Sequence, residues 1–127
     1  MHRILALTSD KETSIELKNA LSKPDSIEML SYSSTLDLLE SFQNFHSNLV
    51  ILDIDLLKDE VTKMINLLRS SRSDFKLILI LSSENMSFCS KALSLGVVSY
   101  LIKPISISNS VKIISSALNI TIESNQD

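Results

Sequence analysis

Short, almost unbroken apolar runs recur along this chain, each followed by a longer stretch whose apolar positions are spaced three or four apart. Strands are predicted at about residues 3–8, 27–32, 48–53, 76–82 and 98–102. The first, third, fourth and fifth are nearly continuous in apolar residues, which predicts strands buried on both faces of a sheet. Ile27-Glu28-Met29-Leu30-Ser31-Tyr32 mixes polar and apolar positions and predicts an edge strand.

The stretches between them predict helices. In the first, Ile15, Leu17, Ala20 and Leu21 gather near one face, and Lys23-Pro24-Asp25 ends it. The second follows Ser33-Ser34, which offer N-caps, and carries Leu38, Leu39, Phe42 and Phe45. The third sets Val61, Met64, Ile65 and Leu68 at helical spacing, and the fourth sets Met86, Cys89, Ala92 and Leu93 before a stop at Gly96, a C-cap residue. The fifth carries Val111, Ile114, Ala117 and Leu118 after a cap at Ser106 or Ser108. These stripes are core faces. Parallel strands need crossovers, and right-handed crossovers put helices on both faces, so five such units predict a doubly wound α/β domain with a five-stranded parallel sheet. It spans about residues 1–120, and polar Thr121 to Asp127 are expected to be a frayed tail or the start of a linker.

Composition narrows the function. The 127 residues suffice for one core. Twelve basic against 15 acidic residues give a net charge of −3, and the basic ones are scattered, with Arg69 and Arg72 the densest pair. No basic face for nucleic acid follows from that. One glycine excludes Gly-rich phosphate loops. Cys89 is the only cysteine, so no internal disulfide forms, and it is expected to be a small buried hydrophobe. No apolar run approaches the ~20 residues of a membrane span. Met1-His2-Arg3-Ile4 leads straight into a strand without the build of a signal peptide. A cytoplasmic protein is expected. His2 and His46 have no partner at metal-ligand spacing and are expected at the surface.

The chemistry lies where the runs stop. The third closes in Asp53, the fourth in Ser82, the fifth in Lys103-Pro104. Groups just past the carboxyl ends of parallel strands converge on one crevice. A carboxylate, a hydroxyl and an amine meeting there can make and read an acyl phosphate.

Leu49-Val50-Ile51-Leu52-Asp53-Ile54-Asp55, then Leu77 to Leu81 with Ser82-Ser83-Glu84, then Ala92 to Gly96 with Tyr100-Leu101-Ile102-Lys103-Pro104 resemble the response-regulator receiver domain of two-component signalling. The resemblance covers about residues 2–120 and implies the flavodoxin-like receiver topology. It makes Asp53 the phosphoacceptor, Lys103 the amine that takes up charge on the phosphoryl oxygens, and Ser82 (or its neighbour Ser83) the switch hydroxyl. It makes Asp55 the residue whose backbone carbonyl would ligate Mg²⁺ together with Asp53. Tyr100 would be the aromatic switch residue, or else a half-buried strand residue. The partners implied are a sensor histidine kinase or phosphotransfer protein, and a second copy docking through the fourth helix, fifth strand and fifth helix.

The chain also departs from that pattern. Receivers end their first strand in two acids that hold the cation, whereas Thr8 and Ser9 stand there, with Asp10 one place late. Asp10 is expected as a metal ligand or as an N-cap of the first helix. Leu57 replaces the usual Pro and Glu60 the usual Gly. Weak or absent Mg²⁺ binding is therefore expected, since Mg²⁺ prefers carboxylates and water to hydroxyls. The receiver is expected to accept a phosphoryl group on Asp53 or to serve as a phosphorylation-independent pseudo-receiver. It is not expected to be an enzyme beyond phosphotransfer to and from Asp53. The alternatives are a flavodoxin-like cofactor binder, for which Thr8 to Ser14 is hydroxyl-rich, and an aspartyl-phosphate hydrolase using Asp53 and Asp55. Asp10 and Glu12 would repel a flavin phosphate, and the hydrolase would need a capping insertion that this short chain lacks.

Overall fold

The computed structural model describes residues 2–21 and 27–120. Five parallel strands form one sheet in the order β2-β1-β3-β4-β5. They are β1 His2–Leu7, β2 Ile27–Tyr32, β3 Leu49–Asp53, β4 Lys76–Leu81 and β5 Val97–Ile102. The helices are α1 Lys11–Leu21, α2 Thr35–Asn44, α3 Val61–Ser71, α4 Met86–Leu93 and α5 Ile107–Leu118. A short helical turn, Ile54–Leu57, follows β3 directly. This is the doubly wound α/β fold that the pattern of apolar runs predicts.

The runs of β1, β3 and β4 are continuous because each of these strands feeds two cores. Successive side chains point to opposite faces of a sheet. Leu77, Leu79 and Leu81 pack with Leu38, Phe42, Met64, Ile65 and Cys89 on the face covered by α2, α3 and α4. Ile78 and Ile80 pack with Leu17, Ala20, Val111 and Ile114 on the face covered by α1 and α5. The caps follow the same local logic. The Ser34 hydroxyl accepts from the Asp37 amide, and the Ser106 hydroxyl, rather than that of Ser108, accepts from the Asn109 amide.

The structure corrects five expectations. Met86, expected on the core stripe of the fourth helix, is the first residue of α4 and is 38% exposed. β5 is an edge strand, and Val98, Tyr100 and Ile102 are 49%, 38% and 37% exposed. An apolar run shows that a strand is apolar on both faces; whether both faces are covered depends on its place in the sheet. Ile15 is 56% exposed, because a residue two places from buried Leu17 lies on the far side of α1. Phe45 is also exposed, being the extended C-cap residue of α2, and the Arg3 guanidinium lies over its ring. Gly96 does not cap α4, which ends at Leu93; it closes the turn into β5 with φ +84°, a conformation that favours glycine. Lys23-Pro24-Asp25 and residues 121–127 lie outside the described residues, as do the side chains of Ala92 and Leu93.

The strand order places the topological switch between β1 and β3. The connections from these two strands leave in opposite directions along the sheet and open a crevice at their carboxyl ends.

Candidate functional site

Asp53 is the last residue of β3 and is 1% exposed. Its Oδ1 accepts from the Asp55 amide at 2.9 Å, so it caps the short turn that follows. Its Oδ2 accepts from the Thr8 hydroxyl at 2.6 Å and from the Lys103 ammonium at 2.8 Å. Thr8 is itself buried just beyond β1, where its amide donates to Tyr32 of β2.

Lys103 follows β5, and its amide continues the ladder by donating to the Leu81 carbonyl at 2.8 Å. That bond aims the side chain across the ends of β4 and β3. The Lys103-Pro104 peptide is cis. The ammonium lies 2.8 Å from Asp53, 3.0 Å from Asp55 and 3.5 Å from Asp10. Burial works against its charge, but the hydrogen bonds and charges of Asp53 and Asp55 outweigh burial and push its pKa up.

The Asp55 carboxylate turns inward. It accepts from the Ser82 amide at 3.0 and 3.1 Å, the Ser82 hydroxyl at 2.9 Å, the Asn85 side-chain amide at 2.7 Å and Lys103. Burial alone would raise its pKa; the bonds from Asn85, Ser82 and Lys103 overcome it and hold the carboxyl far below the usual carboxylate range.

Asp10 serves as the N-cap of α1, accepting from the Glu12 amide at 3.2 Å and the Thr13 hydroxyl at 2.7 Å. The Thr13 bond lowers its pKa against the opposing effect of burial, and the Lys103 charge adds to the lowering. A cleft of about 430 Å³ opens beside Lys103, lined by Asp10, Glu12, Thr13, Glu16, Pro104 and Ile105.

The three groups at the strand ends are thus brought together. Asp53 and Lys103 are in direct contact, and Ser82 joins them through Asp55. Tyr100 is not part of the cluster: it pairs with Leu79 along β5 and shows its side chain at the sheet edge. Three contributions were not read from the sequence, namely the Thr8 hydroxyl on Asp53, the Asn85 amide on Asp55, and the inward turn of the Asp55 carboxylate. Asn85 three residues past Ser82 was the available signal, since one helical turn brings such a pair to the same side.

The sequence matches the response regulator receiver domain over residues 4–115. The chain belongs to this receiver family. Its fold is shared with a response regulator from Thermotoga maritima at TM-score 0.84 and 17% identity, covering 94% of this chain and 98% of that one. A CheY-like receiver domain protein from Methanospirillum hungatei JF-1 gives TM-score 0.77 and 24% identity, covering 94% of each chain. Full-length FixJ from B. japonicum gives TM-score 0.82 and 16% identity over 93% of this chain but 58% of that one. Comparison with curated protein sequences found no match. The receiver domain is a signalling module of two-component systems that interacts with histidine kinases or phosphotransfer proteins, and is generally not a catalytic enzyme. Among the described residues, no helix is long and apolar enough to cross a membrane.

Receiver domains generally bind Mg²⁺ at their acidic pocket. In this receiver the lining of that pocket is a lysine among three acids. The position shared by Asp10, Asp53 and Asp55 is taken by the Lys103 ammonium, and β1 contributes the neutral Thr8, whose hydroxyl is spent as a donor to Asp53. Mg²⁺ wants oxygen acceptors in octahedral array, and the Asp53 oxygens already accept three hydrogen bonds.

Proposed function

We propose that this receiver is a pseudo-receiver: a signalling module that works through protein–protein contact, with neither a resident Mg²⁺ nor a phosphoryl group on Asp53. The observation that carries this reading is the Thr8 bond to Asp53 Oδ2. An attacking carboxylate oxygen must offer a lone pair to phosphorus. Here that oxygen is buried and engaged by a hydroxyl and an ammonium together. The acidic wall of Asp10, Glu12 and Glu16 beside Lys103 argues against a flavin phosphate in the same cleft. A cytoplasmic location belongs to this reading. So does a second copy of the chain docked on the outer edge of the sheet, where α4, β5 and α5 leave Val98, Tyr100 and Ile102 exposed.

The convergence of Asp53, Ser82 and Lys103 favours a second reading. In it Asp53 accepts a phosphoryl group from a sensor histidine kinase or phosphotransfer protein: the Asp53 O–P bond forms as the donor's N–P bond breaks. Ser82 then donates to a phosphoryl oxygen, Tyr100 reports the change at the sheet edge, and the Asp55 backbone carbonyl faces the cation, with Asp10 a further ligand.

Incubation with acetyl phosphate and Mg²⁺, followed by intact mass, separates the two. The pseudo-receiver gains no phosphate mass and shows no saturable Mg²⁺ binding. A phosphate-sized gain that Asp53→Ala abolishes overturns it in favour of the acceptor.

A further inference from the structure

Asp55 is bonded to one more donor group than Asp53 beside it. Its donors are the Ser82 amide, the Ser82 hydroxyl, the Asn85 side-chain amide and the Lys103 ammonium, between 2.7 and 3.1 Å. They come from the ends of β4 and β5 and from the turn before α4, whereas Asp55 comes from the turn after β3. A surface acid left to itself stays in water. This one is only 24% exposed and is aimed at the point where the donors meet. An N–H, an O–H and an ammonium with a common focus make an anion site, and a carboxylate and a phosphoryl group are ligands of the same kind, each presenting oxygens that share negative charge.

We propose that Asp55 is a resident anion: its carboxylate fills the place where Ser82 and Lys103 would receive the oxygens of a group carried on Asp53. The inference rests on the receiver reading of Asp53, Ser82 and Lys103. The loops after β4 and β5 are then held in their anion-bound arrangement with nothing attached to Asp53. A phosphoryl group arriving on Asp53 would have to expel the Asp55 carboxylate, because the Lys103 ammonium already bridges both acids and a further anion at that distance is repelled.

Asp55→Ala empties the site, and formate supplies the lost carboxylate and nothing more. In the variant, exchange of the Ser82 amide proton accelerates about tenfold and its resonance moves. Sodium formate restores the resonance saturably, and sodium chloride at equal ionic strength does not. A Ser82 amide indifferent to the substitution, or a formate response no different from that to chloride, overturns the proposal. Should Asp55→Ala fail to fold, Asp55→Asn keeps the shape and removes the charge; the Ser82 amide resonance then shifts, and an unmoved one is equally fatal. Beryllofluoride added to Asp55→Ala reports separately on Asp53. No adduct there, with a formate-restored Ser82 amide, removes the phosphoacceptor reading of Asp53 while leaving the occupancy of the anion site established.

Discussion

The two ends of the sheet carry comparable sets of charged groups under opposite conditions. At the carboxyl end, Lys103 sits among Asp53, Asp55 and Asp10, and Asp53 is almost fully buried. At the amino end, Arg72 pairs with Asp74 at 2.8 Å, and His46 meets the same carboxylate at 3.1 Å, with Asp74 and His46 mostly in water. The buried cluster has to be complete. A charge taken out of water there is tolerable only while each partner stays in place. The exposed cluster tolerates loss, because water and salt replace whatever is removed. The Arg72 guanidinium also lies over Phe42 and Phe75, so much of its contribution is packing.

The contrast can be broken most directly at its centre. Lys103→Met strands Asp53 without a countercharge and is expected to lower the unfolding free energy by about 3 kcal/mol. Urea denaturation should show it as a fallen midpoint with an unchanged slope. A loss no larger than that of an exposed lysine would make the two ends equivalent. Thr8→Val keeps the shape and deletes one donor to a buried carboxylate, for an expected loss of about 2 kcal/mol. The same variant frees a lone pair on Asp53 Oδ2, so any phosphate gain from acetyl phosphate should rise relative to the parent.

At the amino end the backbone matters more than the charges. Gly96→Ala forces an L-residue into φ +84° and brings its Cβ to 3.0 Å from the Arg69 guanidinium, at an expected cost of about 1 kcal/mol. Asp74→Asn should lower the urea midpoint only slightly at neutral pH. Arg72 and then His46 lower the Asp74 pKa from 3.8 to about 2. A depressed carboxyl pKa means that the folded state holds its advantage above pH 3.8 and loses it as pH falls towards 2. The parent and Asp74→Asn should therefore differ slightly above pH 4 and converge by pH 2, and 1 M salt should erase the difference. A difference that persists in high salt would place Asp74 with the buried cluster.

Most of the fold was legible because one rule serves each strand twice. In Leu77 to Leu81, alternate residues feed opposite cores, and an unbroken apolar run records both. The α3 stripe Val61, Met64, Ile65, Leu68 and the α5 stripe Val111, Ile114, Ala117, Leu118 are all buried for the corresponding helical reason. β5 misled for want of a neighbour: its composition suits a central strand, and its outer position in the order depends on where the crossovers go. The site was legible at the same level. Asp53, Ser82 and Lys103 each terminate a run, so the direction of the strands alone carries them to one rim.

Which atoms then meet depends on distances no linear pattern encodes. Thr8 and Asp53 are 45 residues apart, and Asp55 and Asn85 are 30 apart. Their bonds exist because the pairing of β1 with β3 sets Leu7 against Leu52, and that of β3 with β4 sets Asp53 against Ile80. Local sequence determined the elements, their caps and the direction in which each strand points, since those follow from periodicity and from side chains bonding their own backbone. Tertiary structure alone decided that Thr8 donates to Asp53, that β5 shows an apolar edge, and that the second acid of Asp-Ile-Asp turns inward to Ser82 and Lys103. Each of these is a balance between burial and pairing that is struck only once the partners are in place.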